Sequence, residues 1–383
     1  MKIYYIANAR IPTNKAHGGQ IIKNICAFTR VGEELELVIP NRSNPLRQDP
    51  FWYYGERECA KVHKLFTFDI VDFMPPVGFF LQRISFSLSC IPFFYTRRKE
   101  DFVLYGRDEL TLLLLKVLFP RRKIFFELHD WPERHKFFWR RFFASLDGIL
   151  STNQWKLNEL KVRFGLSGDK LLLARNAVDP AEFVQSKSKI ELRKELDLDP
   201  DNFIYCYVGQ LHTKGMAKGL EVITSLARVI EKKQNLKSKV LIVGGETTGE
   251  VGSITYVGQQ PRAQAIAYMQ ASDLLLMPFP NTAHYNYYMS PIKMFEYMAS
   301  GTPILTTDLV SIREVLSSDC AVLVSADKDV FVDTAIKVAS EPESIVPLGI
   351  KAKELVLREY TLEKRVAKIL EFISRCINRW TEK

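Results

Sequence analysis

The chain has 383 residues, of which 47% are hydrophobic and 25% are charged, and its six cysteines form no Cys-x-x-Cys pair. This length favours two domains of roughly 180 residues each, and the composition excludes a low-complexity chain. The cysteine spacing argues against a zinc site or a disulfide scaffold and fits a reducing compartment. Because the sequence enters an apolar strand directly after Met1, without a signal-peptide pattern, we expect a cytoplasmic protein.

The formal net charge of +9 is unevenly distributed along the chain. Residues 1–175 contain 28 Lys and Arg against 18 Asp and Glu, whereas the remainder contains 25 against 26. A basic N-terminal half favours an anionic partner, either a membrane surface or a phosphorylated substrate. Nucleic acid is the rival partner, but the sequence has no nucleic-acid-binding motif, and we expect none to bind.

The most apolar region, residues 73–96, is interrupted by Arg83 and by Pro75, Pro76 and Pro92. Neither uninterrupted piece approaches the ~18–20 residues that span a bilayer, so we expect at most a peripheral protein on the inner face of a membrane. Aromatic side chains beside the basic residues 97–99 favour a membrane interface slightly over a core helix with a charged exit.

The first half of the chain alternates between apolar strands and helical segments. A strand over residues 3–7 precedes a polar loop that ends in Gly18 and Gly19, and a helix over residues 20–30 and a second strand follow. This order predicts a βαβ opening of a parallel sheet. Paired glycines before a helix let backbone N–H groups approach a phosphate, although they also simply make turns.

A candidate polar site follows the predicted strand over residues 123–128. His129 lies at the carboxyl end of this strand, and such positions line the cleft in doubly wound folds. The alternative is a histidine that caps the following helix. A strand over residues 147–151 is predicted to be the last one of the first domain.

The second half repeats the alternation, with strands over residues 203–208, 239–243, 254–258 and 274–278 and helices over residues 220–232 and 261–271. A basic loop that contains Lys214 and Lys218 joins the first of these strands to the first helix.

Residues 290–304 read Ser-Pro-Ile-Lys-Met-Phe-Glu-Tyr-Met-Ala-Ser-Gly-Thr-Pro-Ile. Ser290 is a good helix N-cap, Pro291 suits the first helical position, and the later glycine ends the helix. Lys293 occupies the position where a capping box needs Glu, so the N–H groups and positive dipole of the helix start predict an anion site. Glu296 lies one turn further, within reach of hydroxyls on the same ligand. The alternative is a surface helix with a Lys293–Glu296 ion pair.

This pattern resembles the C-terminal-domain signature of the family 4 retaining glycosyltransferases, which have the GT-B fold. The resemblance implies an α/β protein with two facing Rossmann-like domains, parallel sheets and a C-terminal crossover helix. It implies an acceptor domain over residues 1–178, completed by a helix over residues 362–383, and a donor domain over residues 179–361. The implied reaction moves a sugar from a nucleoside-diphosphate sugar, with UDP or GDP as the nucleotide, to a hydroxyl of a glycan or lipid-linked acceptor, with retention. Polysaccharide, lipopolysaccharide or glycolipid assembly is the implied context.

The resemblance also implies roles for single residues. Glu296 would bind the donor ribose, and the backbone N–H groups of Ile292 and Lys293 would bind the diphosphate. His129 would lie beside the reacting sugar, and Lys218, or alternatively Lys214, would neutralise the diphosphate. The other implied donor contacts are Gly18, Gly19, Gln210, Val257, Tyr288, Met289, Ser290 and Pro291.

Two positions depart from the family pattern. Gln210 stands where the family carries an Arg, and Tyr288 stands where it often carries a Glu that contacts the donor sugar. These departures leave a noncatalytic, membrane-associated nucleotide-sugar-binding protein as the alternative function. A nicotinamide oxidoreductase is disfavoured, because no Gly-x-Gly-x-x-Gly follows the first strand. No Asp-x-Asp triad occurs in a suitable loop, so we expect neither a metal nor another cofactor.

Overall fold

Two seven-stranded sheets divide the protein into two units. The structure is a computed structural model that describes residues 1–184, 186–210, 212–213, 216–217, 219–233 and 236–381. Unit 1 comprises Met1–Arg175 together with the segment that begins at Leu362, and unit 2 comprises Asn176–Thr361. The division after residue 175 lies three residues before the predicted domain boundary.

Unit 1 is a sheet in which every neighbouring pair of strands is parallel. Its elements are β1 (Lys2–Ile6), α1 (Ala16–Arg30), β2 (Glu34–Pro40), α2 (Pro50–Tyr53), β3 (Lys61–Leu65), α3 (Pro75–Thr96), β4 (Val103–Gly106), α4 (Glu109–Leu118), β5 (Ile124–Leu128), α5 (Lys136–Ser145), β6 (Gly148–Ser151), α6 (Gln154–Phe164) and β7 (Leu171–Leu173). The strand order is β3-β2-β1-β4-β5-β6-β7. The central strands β4, β5 and β6 are fully buried, as expected for parallel strands covered on both faces. The prediction that β6 closes this domain is wrong, because β7 pairs with it.

Unit 2 is built on the second sheet, in which one edge strand is antiparallel to its neighbour. Its elements are α7 (Lys189–Glu195), β8 (Phe203–Val208), β9 (His212–Thr213), β10 (Met216–Ala217), α8 (Leu220–Lys232), β11 (Ser238–Val243), β12 (Gly249–Val251), β13 (Ile254–Gly258), α9 (Arg262–Ala271), β14 (Leu274–Met277), α10 (Ile292–Ser300), β15 (Ile304–Thr307), α11 (Val310–Arg313), β16 (Val322–Val324), α12 (Lys328–Ser340) and α13 (Val346–Glu359). The strand order is β12-β13-β11-β8-β14-β15-β16, and the short strands β9 and β10 pair with each other. Strand β12 runs antiparallel to β13 at the edge of an otherwise parallel sheet.

The last helix, α14 (Leu362–Thr381), follows unit 2 in the chain but packs in unit 1 against α1. Its buried stripe includes Val366, Ile369 and Ile373, which recur at helical spacing. The same face also buries Arg365, which is only 5% exposed. This helix therefore completes the core of unit 1.

The expectation that prolines and Arg83 interrupt the most apolar region is wrong, because this region forms one helix, α3. It is continuous over 22 residues, because Pro75 and Pro76 occupy its first turn and Pro92 is accommodated inside it. By length and composition alone α3 could cross a membrane, and 33% of its most apolar window is buried inside the protein. Gln82 and Phe86 are among its fully buried residues, so one face of α3 belongs to the core of unit 1.

Two cysteines of unit 1 form a disulfide that their spacing did not predict. Cys26 on α1 and Cys59 before β3 are 33 residues apart in sequence, and their Cα atoms are 5.5 Å apart. They meet because the segment around α2 folds back onto the start of α1, where Tyr54 packs beside Gly18. The other four cysteines are buried thiols.

Candidate functional site

Helix α10 begins at Ile292, one residue later than predicted. Its N-cap is Pro291, in an extended conformation, and the side chain of this residue makes no capping hydrogen bond. Ser290 is therefore not the cap. Its carbonyl oxygen accepts a hydrogen bond of 2.7 Å from Asn176 Nδ2, and its Oγ lies 3.4 Å from the same nitrogen. Asn176 thus holds the segment that leads into the helix, and the helix start can face an anion.

The aromatic residues before α10 form a π-helical turn, His284–Tyr288. Tyr285 is buried and stacks on Phe279 with ring centroids 5.2 Å apart. Ser311 Oγ donates a hydrogen bond of 2.6 Å to the carbonyl oxygen of Tyr285. Tyr288 and Met289 are half-buried beside this turn. The turn therefore fixes the path of the chain into α10.

Helix α10 packs against the carboxyl end of β8. The backbone N–H of Val208 donates a hydrogen bond of 2.8 Å to Tyr297 Oη. The ammonium group of Lys293 lies 3.5 Å from the ring centroid of Tyr207, a favourable cation–π distance. The same ammonium lies beside Gly209, the residue after β8, whose φ of +125° suits glycine. A positive charge is thereby placed at the end of this strand.

Two further predicted donor contacts lie at the same edge of the sheet. Strands β8, β11 and β13 are parallel, so Gln210 after β8 and Val257 near the end of β13 lie at the carboxyl edge. The backbone oxygen of Gln210 accepts a hydrogen bond of 2.9 Å from Tyr207 Oη, and its side chain is exposed. Val257 is half-buried. Lys214 and Lys218 lie outside the described residues, so their roles stay predictions.

Glu296 faces an ion-pair network that sequence reasoning missed. Arg262 Nη1 donates a hydrogen bond of 2.6 Å to Glu296 Oε1. Arg262 Nε and Nη2 donate to both carboxylate oxygens of Glu182, at 2.7 and 2.8 Å. The Glu296 side chain is 16% exposed, so it is available to a ligand without standing in open solvent. The one signal in the sequence was that Arg262 follows Pro261 at the start of a predicted helix.

In unit 1, Gly18 and Gly19 lie within the first turn of α1, because the helix starts at Ala16. The predicted loop therefore ends earlier. A Cβ atom at Gly18 would lie 2.1 Å from Tyr54 Oη, so packing alone requires glycine there. Tyr54 Oη also accepts a hydrogen bond from the Thr13 N–H and donates one to the Thr13 carbonyl oxygen, both of 2.8 Å. Tyr54 thus holds the segment that precedes the helix.

His129 lies at the carboxyl end of β5, with 30% of its side chain exposed. Its Nε2 lies 2.9 Å from Glu127 Oε1. Burial, aided by the positive charge of Arg107, lowers the pKa of His129 to about 4. The imidazole is therefore neutral at pH 7 and donates its Nε2 proton to the carboxylate. The alternative of a helix cap is wrong, because α5 begins at Lys136 and has His135 as its N-cap.

Glu127 is the centre of a buried charge cluster in unit 1. The carboxylate is 1% exposed and accepts hydrogen bonds from Tyr105 Oη (2.5 Å), Arg365 Nη2 (2.6 Å) and Arg107 Nη2 (3.3 Å). Burial acts to raise its pKa, but the two guanidinium groups and His129 hold the pKa well below its usual range. Glu127 is therefore ionised, and it orients His129 at the edge of the sheet.

Residues 224–371 match a family model described as glycosyl transferase-like. The amylovoran biosynthesis glycosyltransferase AmsK of Erwinia amylovora is 22% identical over 254 residues, which are 62% of this chain and 60% of that protein. The chain thus aligns with about 60% of the length of this curated relative.

Solved structures match over nearly the whole chain. Sucrose-phosphate synthase from Thermosynechococcus elongatus has a TM-score of 0.77 at 14% identity, covering 99% of both chains. Anabaena HepE in complex with UDP-glucose has a TM-score of 0.68 at 15% identity, covering 97% of this chain and 99% of that one. A glycosyltransferase from Rickettsia africae has a TM-score of 0.71 at 11% identity, covering 98% of each. The predicted α/β fold with two Rossmann-like domains, as in GT-B proteins, is confirmed.

Proposed function

We propose that the protein is a retaining glycosyltransferase that takes its sugar from a nucleoside-diphosphate sugar. The observation that carries the proposal is the start of α10, where the first turn of a helix with Pro291 at its N-cap, the ammonium group of Lys293 and the carboxylate of Glu296 lie in one segment. The glycosyl transferase-like match covers this segment, and the similar protein HepE is seen with UDP-glucose. UDP or GDP is the proposed nucleotide, and a glycan or lipid-linked hydroxyl is the proposed acceptor.

The chemistry requires that the departing diphosphate be stabilised as its negative charge grows. The N–H groups of Ile292 and Lys293 and the helix dipole of α10 would supply this stabilisation, together with Lys218 or Lys214. The phosphate role of Gly18 and Gly19 in unit 1 stays a prediction. Glu296 would bind the ribose of the donor, and Val257 would lie beside its base. The other donor contacts that the resemblance implies stay predictions. The departing phosphate would take the proton of the acceptor hydroxyl.

His129 is proposed to bind the transferred sugar in unit 1. Because Nε2 donates to Glu127, a neutral imidazole presents Nδ1 as a hydrogen-bond acceptor for a sugar hydroxyl. The ionised carboxylate fixes the tautomer and the orientation of the ring, in the way that a buried acid orients a histidine in other sites. His129 would therefore position the sugar rather than titrate during the reaction.

Catalysis is expected to be independent of divalent metal. The phosphate charge is neutralised in this proposal by backbone N–H groups and Lys side chains. Activity measured as nucleotide release should therefore survive excess EDTA at the level of the untreated enzyme. Activity that is lost to the chelator and restored by Mg²⁺ or Mn²⁺ would contradict the prediction, because it would assign the charge neutralisation to a metal.

The alternative, a noncatalytic nucleotide-sugar-binding protein, is motivated by Gln210 and Tyr288. Nucleotide release in the presence of donor and candidate acceptors separates the two functions. A protein that binds the donor but releases no nucleotide above the rate of spontaneous hydrolysis, with any acceptor tried, would favour the alternative.

Unit 1 carries an apolar surface that we assign to a membrane. It consists of exposed large apolar side chains just before and within the first turns of α3, between 37% and 87% exposed: Phe66, Phe68, Phe73, Met74, Val77, Phe79, Phe80 and Leu81. The acidic residues in this stretch, Asp69 and Asp72, are paired with Arg42 and Arg10 at 3.1 Å. Apolar side chains with paired charges between them suit the headgroup layer of a bilayer.

The apolar surface differs from the segment that the sequence indicated. The second half of α3 turns Phe86, Cys90 and Phe94 into the core, so the apolar region over residues 73–96 does not form one exposed stretch. Arg97 Nη1 donates to the carbonyl oxygen of Phe93 at 2.8 Å and so helps to end the helix. The start of α5 also presents an apolar side chain for membrane contact, since Phe137 is 74% exposed among basic residues. Those basic residues fit an anionic surface.

Flotation with anionic vesicles at low salt tests this assignment. The protein is expected to float with the vesicles, and replacing Phe73 and Phe80 by Ser should return it to the soluble fraction. Each basic residue near the surface contributes about 1 kcal/mol, so the apolar side chains decide whether binding persists in salt. The control replaces Val162 and Ile190, which are 80% and 73% exposed elsewhere, and should leave flotation unchanged. A wild-type protein that stays soluble at low salt would contradict membrane docking and favour a soluble acceptor.

A further inference from the structure

The Glu182–Arg262–Glu296 cluster of unit 2 suggests a role for Arg262 that deepens the proposed function and rests on it. We propose that Arg262 is a positioning residue that holds the Glu296 carboxylate in the orientation that accepts the ribose hydroxyls of the nucleotide. Arg262 would not touch the ligand. It would act through the hydrogen bond of 2.6 Å from its Nη1 to Glu296 Oε1.

Arg262 can position Glu296 because its own guanidinium group is fixed in plane. Its Nε and Nη2 make the two-pronged contact with the Glu182 carboxylate, at 2.7 and 2.8 Å, and this contact sets the direction of Nη1. Lysine, with a single point charge, could not hold both carboxylates with the same geometry. Since Arg262 binds Oε1, the orientation that it imposes leaves Oε2 for a ligand hydroxyl.

The partners of Arg262 sit on rigid supports. Glu182 belongs to a short 3-10 turn, Pro180–Phe183, which begins where the Asp179 side chain accepts a hydrogen bond of 3.0 Å from the N–H of Ala181. The next residue, Phe183, is 2% exposed in the core, and its ring lies 6.0 Å from the guanidinium carbon of Arg262. Arg262 is the first residue of α9. The cluster therefore holds its geometry before any ligand arrives, which lowers the cost of binding.

The charges of the cluster make Arg262 necessary for that geometry. One guanidinium group lies between two carboxylates. Burial acts to lower the pKa of Arg262, but the negative charges of Glu296 and Glu182 raise it. Without the cation the two carboxylates would face each other with no charge between them. Repulsion would then drive Glu296 out of position.

The inference makes a prediction that separates positioning from a general structural role. Only contacts with the ribose hydroxyls depend on Glu296, so only nucleotides that carry those hydroxyls should be affected. We expect Arg262→Met to weaken the binding of UDP or GDP ~10-fold, the loss typical of one charge-assisted hydrogen bond, and to leave the 2′,3′-dideoxy forms unchanged. In a Glu296→Ala background, Arg262→Met should cause no further loss.

Calorimetric titration of the full chain with UDP, GDP and their 2′,3′-dideoxy forms measures these effects. Arg262→Lys should recover part of the lost affinity for the ribonucleotide, because one hydrogen bond to Glu296 can still form. The matched control is Arg313→Met, which removes a two-pronged Arg–carboxylate pair with Asp308 of similar geometry (2.6 and 2.8 Å) on the same unit. The control should bind all four nucleotides as the wild type does.

Two results would overturn the inference. Equal losses for ribonucleotide and dideoxynucleotide would mean that Arg262 supports the unit as a whole. Additive losses in Arg262→Met and Glu296→Ala would mean that it acts independently of Glu296. A different pattern, in which Glu296→Ala itself fails to distinguish the two kinds of nucleotide or the wild type binds none of them, would instead contradict the proposed function.

Discussion

Replacing Arg365 with Met is expected to lower the free energy of unfolding of unit 1 by about 3–5 kcal/mol, the usual cost of removing one partner from a buried ion pair. Arg365 is 5% exposed and makes hydrogen bonds to Glu127 (2.6 Å), to Asn24 Oδ1 (2.6 Å) and to the carbonyl oxygen of Arg175 (3.0 Å). Without Arg365, the Glu127 carboxylate, which is 1% exposed, keeps Arg107 as its guanidinium partner. The substitution also removes the hydrogen bonds that link α14 to Glu127 of the sheet and to Asn24 of α1.

Urea denaturation followed by circular dichroism measures this loss. The two units can unfold in separate steps, so the comparison should use the first transition that shifts in the variant rather than a single fitted midpoint. The control is Arg375→Met, which removes an exposed Arg from the same helix and should change the stability by less than about 0.5 kcal/mol. Similar stability of the two variants would contradict the role given to the buried cluster.

The second large effect is expected at Glu296. Glu296→Ala should weaken the binding of the nucleoside diphosphate by roughly 1.5–3 kcal/mol, because it removes a charged hydrogen-bond acceptor from the ribose. The fold should persist, since Arg262 keeps its two hydrogen bonds to the Glu182 carboxylate when Glu296 is removed. Calorimetric titration with UDP and GDP measures the change. Glu354→Ala, which removes an exposed carboxylate on α13 of the same unit, is the control. Unchanged affinity in Glu296→Ala would remove Glu296 from the site.

Local patterns predicted the core elements well, because periodicity and end signals act within a few residues. Strand β8 and helix α8 have the predicted bounds, and α10 starts one residue after its predicted first residue. Edge strands were missed for a physical reason. Strand β3 reads Lys-Val-His-Lys-Leu and has no fully buried residue, so it lacks the apolar run that marks a buried strand. Strand β12 is exposed throughout.

Contacts between distant residues account for most of what the sequence could not predict. Arg262 and Glu296 are 34 residues apart, and Arg365 and Glu127 are 238 apart, so no local pattern joins them. The glycine pair shows the same limit. Gly18 was interpreted as a phosphate contact. The side chain that packs against it, Tyr54, lies 36 positions later and is not part of any motif.

The central claim is that unit 2 binds a nucleoside-diphosphate sugar at the start of α10. A thermal-shift panel of UDP-, GDP-, ADP- and CMP-linked sugars, run on the wild type and on Glu296→Ala, tests it most directly. At a ligand concentration 100 times the dissociation constant, binding adds about 2.7 kcal/mol of stability, which is readily measured. We predict stabilisation of the wild type by a UDP- or GDP-linked sugar and a much smaller shift for Glu296→Ala. A wild-type protein that none of these sugars stabilises would contradict the claim.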